Sequence, residues 1–147
     1  MLPLRLVIDT NVLISAALKP AGLERTVVLL AMTKPARWYV SHPILEEYRG
    51  VPARPELQIR KGLRQQLLQL IKNHSYTVAP TKPLEVTPDP EDNAFLEGAD
   101  GAGADYLVTG NQKHFPRFWK KTKIITPQEF ISLAAPHVVR TPKGPRL

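Results

Sequence analysis

What most limits how this chain can fold is a repeated junction: a short apolar run, stopped by a polar or acidic residue, leads straight into a stretch of helical period. Leu4-Arg5-Leu6-Val7-Ile8 ends at Asp9, and Thr10-Asn11 opens a helical pattern that continues through Leu18. Lys19-Pro20-Ala21-Gly22 breaks it, and Leu23 to Thr33 resumes a helix with Val27, Leu30 and Ala31 at helical spacing. Arg37-Trp38-Tyr39-Val40-Ser41 has the aromatic and β-branched content of a second strand. His42 to Tyr48 then reads as a helix, with Ser41 as its N-cap and Pro43 in the first turn.

The alternation continues. Past Pro52 and Pro55, residues 56–72 predict a helix with Leu63, Leu67, Leu70 and Ile71 on one face and Arg60, Lys61 and Arg64 away from it. Ser75 to Ala79 predicts a strand, and Pro80, Pro83, Pro88 and Pro90 mark an extended connection. Asp89-Pro90 starts a helix to about Gly103, and Tyr106-Leu107-Val108-Thr109 is a buried-type strand closed by Gly110-Asn111. Lys123-Ile124-Ile125 is the last strand, before a helix from Thr126-Pro127 to about Ala135. Parallel neighbours need crossover connections and helices supply them, so the expected class is α/β, three layers with a central parallel sheet between helices.

At 147 residues, 43% of them hydrophobic, the chain has the size of one domain with a proper core. The domain is expected over 1–135. Residues 136–147 carry three prolines, three basic residues and no acid, which predicts a flexible basic tail. With no cysteine, disulfides, thiolate catalysis and thiolate zinc sites are excluded. Met1-Leu2-Pro3-Leu4-Arg5 leads directly into a β-type run without a signal-peptide pattern, and no apolar stretch approaches the roughly 20 residues of a membrane span. A cytoplasmic protein with no membrane partner is expected. The net charge of +7 favours a polyanionic partner such as nucleic acid.

Ligand sites in open α/β sheets lie beyond the carboxyl ends of the strands. The residues there are acids and amides: Asp9 and Asn11 after the first strand, Glu46 and Glu47 after the second, Asp89 and Asp92 at the start of a later helix, and Asn111 after the Val108 strand. Carboxylates gathered from such distant positions repel one another unless a cation sits among them, and hard oxygen donors select Mg²⁺ or Mn²⁺. Each also has a local reading. Asp9 can cap the helix at Thr10, Asp89 fits an N-cap with Pro90 at the first helical position, and Asp92 at the third benefits from the helix dipole. Glu46 and Glu47 point about 100° apart on their helix, so at most one faces the site.

Val7-Ile8-Asp9-Thr10-Asn11-Val12-Leu13-Ile14-Ser15, Ser41-His42-Pro43-Ile44-Leu45-Glu46-Glu47-Tyr48, Asp89-Pro90-Glu91-Asp92-Asn93 and Ala104-Asp105-Tyr106-Leu107-Val108-Thr109-Gly110-Asn111 stand in the order and spacing of PIN domains. The chain resembles that family from about residue 4 to residue 135, and most resembles its VapC-like branch of toxin components in toxin–antitoxin pairs. The resemblance implies a metal-dependent ribonuclease with RNA as substrate, an antitoxin as possible partner and a homodimer. Carried over by position, it makes Asp9, Glu47 and Asp92 the metal-holding acids, with Glu47 rather than Glu46 at the glutamate position. Asn111 falls on the fourth catalytic position, where PIN domains often have aspartate. An amide adds no negative charge, which leaves one or two metals open. Asn11 and Thr109 match polar positions that orient the acids.

The implied chemistry is metal-assisted phosphodiester hydrolysis without a protein nucleophile, and none of His42, His74, His114 and His137 stands in a nucleophile motif. His114 reads as a solvent-facing or substrate-side residue. From Gln112 to Lys123, Lys113, Arg117, Lys120, Lys121 and Lys123 alternate with Phe115, Phe118 and Trp119 and no acid. Such a segment suits single-stranded RNA through phosphate contacts and base stacking; equally, its aromatics can pack in the core with solvated lysines outside. Two alternatives stand beside the nuclease. One is a degenerate PIN domain that binds RNA or protein without cutting. The other, a haloacid-dehalogenase type of phosphatase, wants an acid two residues after Asp9, where this chain has Asn11.

Overall fold

The computed structural model describes residues 4–80 and 82–138. Its centre is a six-stranded sheet of order β3-β2-β1-β4-β6-β5, formed by β1 (Leu4–Ile8), β2 (Ala36–Val40), β3 (Ser75–Thr77), β4 (Tyr106–Val108), β5 (Phe118–Trp119) and β6 (Thr122–Ile125). All pairings are parallel except β5 against β6. Leu6, Val7 and Ile8 are each 0% exposed. Successive strand residues point to opposite faces, so both faces at β1 are covered, and a near-continuous apolar run is what such a strand requires.

The covering helices are α1 (Thr10–Leu18), α2 (Leu23–Ala31), α3 (His42–Gly50), α4 (Lys61–His74), α5 (Pro90–Ala102) and α6 (Pro127–Val138). α2 packs on both α1 and α6; α3 packs on α4 and α5; α5 lies against β1, β2 and β4. The expected three-layer α/β/α arrangement is therefore present. The expected caps are present too. Ser41 Oγ accepts from the Ile44 N–H at 3.3 Å, and Asp89 Oδ1 accepts from the Glu91 N–H at 2.9 Å with Pro90 at the first helical position. Gly103 closes α5 at φ 60°, a left-handed position that glycine takes without a Cβ penalty.

Three expectations change. The single helix read over 56–72 is a short 3₁₀ turn (Pro55–Leu57) followed by α4, because Gln58 at φ 54° takes the chain out of helical conformation between them. β5 is an additional strand, joined to β6 by a tight turn in which Lys120 has φ 53°. The last helix passes Ala135, contains Pro136 and ends at Val138. From residue 139 onward, the expected basic tail lies outside the described residues.

Candidate active site

The chain steps from β1 to β2 and β3 on one side of the sheet, then returns to place β4 on the other side of β1. The sheet order reverses at the β1–β4 seam, which leaves a crevice beyond the carboxyl ends of those strands. The Asp9 N–H donates to the Val108 carbonyl at 2.9 Å, so this residue sits at the crevice as an extension of the ladder.

Asp9 occupies the N-cap position of α1, yet its side chain makes no capping hydrogen bond. Instead Oδ2 accepts from Thr109 Oγ1 at 2.8 Å and from Asn11 Nδ2 at 3.2 Å. Asn11 is held in turn by its Oδ1, which accepts from the Gly110 N–H at 3.2 Å. Thr109 Oγ1 also accepts from the Asn111 N–H at 3.0 Å. This network spans the seam and leaves Asp9 only 7% exposed. Burial raises its carboxyl above the ordinary aspartate value; the Thr109 hydroxyl, the Asn11 and Thr10 backbone and His114 oppose that shift.

Two more carboxylates feel Asp9. Glu47 on α3 is half-buried and raised by desolvation, then by Glu91, Asp89 and Asp9, with Arg54 opposing. Asp92 on α5 is pushed up to about 6 by desolvation, then by Asp89 and Asp9, against the pull of His114. Glu46 takes no part: it is exposed and pairs with Arg49 at 2.7 Å. Asp89 caps α5 as read and still adds to the negative field. Asn111 is exposed, and its side chain caps nothing in the following turn (Gln112–His114). Among the described residues, no three His, Asp or Glu side chains stand close enough together to ligate one ion directly.

Several supports were not legible in the motifs. Asn93, 5% exposed, accepts the Thr87 N–H at 2.9 Å and donates to the Thr87 carbonyl at 3.1 Å, which fixes the start of α5 and with it Asp92. The Tyr48 hydroxyl donates to the Ile8 carbonyl and accepts from Trp38 Nε1 at 3.3 Å, tying α3 to the end of β1. Burial pushes the Tyr48 phenol up, so it stays a donor. His114 Nδ1 lies 3.7 Å from Asp92 Oδ2, and Arg54 lies 3.9 Å from Glu91. Asn93 and Tyr48 stand inside the motifs without showing what they would bond, and Arg54 and His114 stand outside them.

The basic segment divides. Lys113 follows β4 and is exposed near the carboxyl edge, while Arg117 and Lys123 line an open groove of about 420 Å³ with Phe118 and Glu129. Lys120 and Lys121 are not brought to the site. They precede β6 and so lie at the amino edge of the sheet, where they pair with Asp100 at 3.1 Å and Asp105 at 3.7 Å. Of the aromatics, Phe115 is buried, Trp119 packs against the core and Phe118 is 59% exposed.

A family profile described as PIN domain matches residues 5–113. An uncharacterized protein of Methanocaldococcus jannaschii is 28% identical over 140 residues, which span 87% of this chain and 90% of the relative. Among solved structures, a chain of VapBC2 from Rickettsia felis bound to a DNA fragment from their promoter aligns with a TM-score of 0.57 and 16% identity, covering 84% of this chain and 98% of that chain. At that identity the likeness is one of fold.

Proposed function

Because the chain belongs to the PIN domain family, we propose that it is a Mg²⁺- or Mn²⁺-dependent endoribonuclease whose acids Asp9, Glu47 and Asp92 hold the metal. The observation that carries this reading is that Asp9, held by Thr109 and Asn11 at the β1–β4 seam, adds its charge to both Glu47 and Asp92, all three carboxyls being raised first by burial. A cation among them would relieve that repulsion. The donor set is all hard oxygen. Mg²⁺ keeps several of its waters and takes one or two carboxylates directly, so acids that do not close on one point would fit an ion held partly through water.

When bound, the ion supplies Lewis-acid activation of water and offsets charge on the scissile phosphate. The protein groups do the rest. Thr109 and Asn11 hold Asp9 in one orientation, so its oxygens need no rearrangement when substrate arrives. Asp92, pushed up to about 6 by burial and by Asp89 and Asp9, still carries its charge for most of the time at neutral pH. Asn111 stands at the fourth catalytic position, exposed and with no capping bond from its side chain.

In the cell the chain acts as the toxin of a toxin–antitoxin pair, with an antitoxin and a second copy as partners, in the cytoplasm. The likeness of fold to a chain of VapBC2 supports that role. Among the described residues, no helix is long and apolar enough to cross a membrane. The nuclease unit ends with α6 at Val138, and the sequence that follows it is basic.

The test is cleavage of single-stranded RNA by purified protein with Mn²⁺ or Mg²⁺, stopped by EDTA and abolished in Asp9→Asn. Undiminished cleavage by that variant would place the activity elsewhere. The spacing of the acids and the amide at position 111 favour one second reading, a PIN domain that binds RNA or protein without cutting. Calorimetric titration with Mn²⁺ separates the two, since only the nuclease requires the ion.

A further inference from the structure

Residues 57–84 contain no aspartate or glutamate, in a chain that has 13 acids among 147 residues. Apart from Lys82, the lysines and arginines of that stretch lie on α4 and its N-cap. Leu67 and Ile71 are buried there, while Arg60, Lys61 and Lys72 are exposed and Arg64 is half-buried. Among the described residues, no carboxylate stands within ion-pair distance of any of these four. Lys61, Arg64 and Gln65 of α4 line, with Tyr48 and Arg49 of α3, a groove of about 230 Å³.

This groove is joined to the candidate site by one side chain. Tyr48, which lines the groove, is the residue whose hydroxyl donates to the Ile8 carbonyl, one position before Asp9. In the connection between α3 and α4, Arg54 stands at Glu91 and acts on Glu47, which puts one cation of that connection beside the acids. The hairpin lysines are not so placed. Lys120 and Lys121 sit at the other edge of the sheet against Asp100 and Asp105.

Resting on the nuclease reading above, we propose that the RNA strand reaches the acids along the α3–α4 side, with its phosphates held by Arg60, Lys61 and Arg64. A guanidinium fork suits phosphate oxygens, and a patch without carboxylates attracts a polyanion without local competition. Arg49 contributes less, since Glu46 already holds it at 2.7 Å.

Binding of a fluorescein-labelled single-stranded RNA 20-mer is followed by anisotropy in EDTA across a salt series, so that no cleavage intervenes. Each lost phosphate contact on a single strand removes about 0.7 of slope, so Arg60→Gln/Lys61→Gln/Arg64→Gln should lower the slope of log K against log salt by about 2. Affinity at low salt should fall at least tenfold, while Lys120→Gln/Lys121→Gln keeps the wild-type slope. Arg64 Nε also donates to the Ile59 carbonyl at 3.3 Å. The double variant Arg60→Gln/Lys61→Gln, both exposed, therefore serves as the second arm, with a slope change of about 1.4. An unchanged slope in both α4 variants, a loss in the hairpin variant instead, or no RNA binding by the wild type would overturn the proposal. Cleavage with Mn²⁺ is scored separately: wild type that binds by this track but does not cut refutes the nuclease reading alone, and full cleavage by the triple variant refutes the track alone.

Discussion

Thr109 Oγ1 donates to Asp9 Oδ2 at 2.8 Å, a bond between residues 100 apart in the chain that closes the β1–β4 seam where the acids gather. Thr109 is 0% exposed, and the same oxygen receives the Asn111 N–H. Thr109→Val keeps the shape and removes both bonds, leaving a backbone donor without its partner. Stability should fall by about 1–2 kcal/mol. The Asp9 carboxyl, released from its strongest lowering contact, should also need a higher pH to ionise. The midpoint of Mn²⁺ binding against pH should therefore move upward, and Thr109→Ser should restore it. Superimposable profiles for Thr109→Val and wild type would remove Thr109 from any role in orienting Asp9.

Asp92 carries the opposite stability sign from an ion-paired acid. Its folded-state pKa, about 6, lies above the ordinary 3.8, so between those values the folded protein binds more protons than the unfolded chain. Stability then falls as pH rises through the window from about 4 to about 6. Asp92→Asn should raise the metal-free melting temperature at pH 7.5 by about 3 °C, on the order of 1 kcal/mol in a domain of this size, and leave it unchanged below about pH 4. An equal gain at both pH values would assign the effect to packing.

At Asn111 the amide can be exchanged for a carboxylate at almost constant size. Asn111→Asp should tighten Mn²⁺ binding by about 1 kcal/mol, or roughly fivefold, because the added charge also repels its acidic neighbours when no ion is present. The metal-free protein should accordingly melt earlier, and thermal shift with and without Mn²⁺ reads both effects. If neither moves, position 111 lies outside the metal's reach.

Gly101 tests how α5, which carries Asp92, is seated. A Cβ there would lie 2.4 Å from the Ala79 carbonyl oxygen, whereas at Gly98 the close contact is with a side-chain methyl, Ile44 Cδ1, at 2.6 Å. Alanine favours a helix by about 1 kcal/mol over glycine, but forcing backbone apart costs about 1–3 kcal/mol. Gly101→Ala should be destabilising in urea unfolding, and more so than Gly98→Ala. The reverse order would mean that the segment at Ala79 yields easily.

The strands and caps nearest the site were legible because their signals are local. β1 was read at Leu4–Ile8, and Asp89-Pro90 announces its own helix start. What escaped was either too short for any period or set by partners far away. The two residues of β5 cannot show alternation, and nothing beside Gln58 announces its left-handed backbone. Charge spacing alone nominated Lys120 and Lys121, because the pattern does not say at which end of a sheet a turn falls. Glu47 and Glu46 were separated only by resemblance; the ion pair of Glu46 with Arg49 supplies the physical distinction. The Thr87–Asn93 pair and the Tyr48 link are invisible without the fold that brings them together.

The sheet order has a consequence for how the protein comes into being. Asp9 is made first, but its partner Thr109 stands just past the end of β4, and Thr109 donates its own N–H to the Ile125 carbonyl on β6. A chain still emerging from the ribosome cannot close the β1–β4 seam before residue 109 is made, and the β6 strand that holds Thr109 from the other side follows only at residue 125. The acidic site is thus assembled late in synthesis, when most of the domain has already been made.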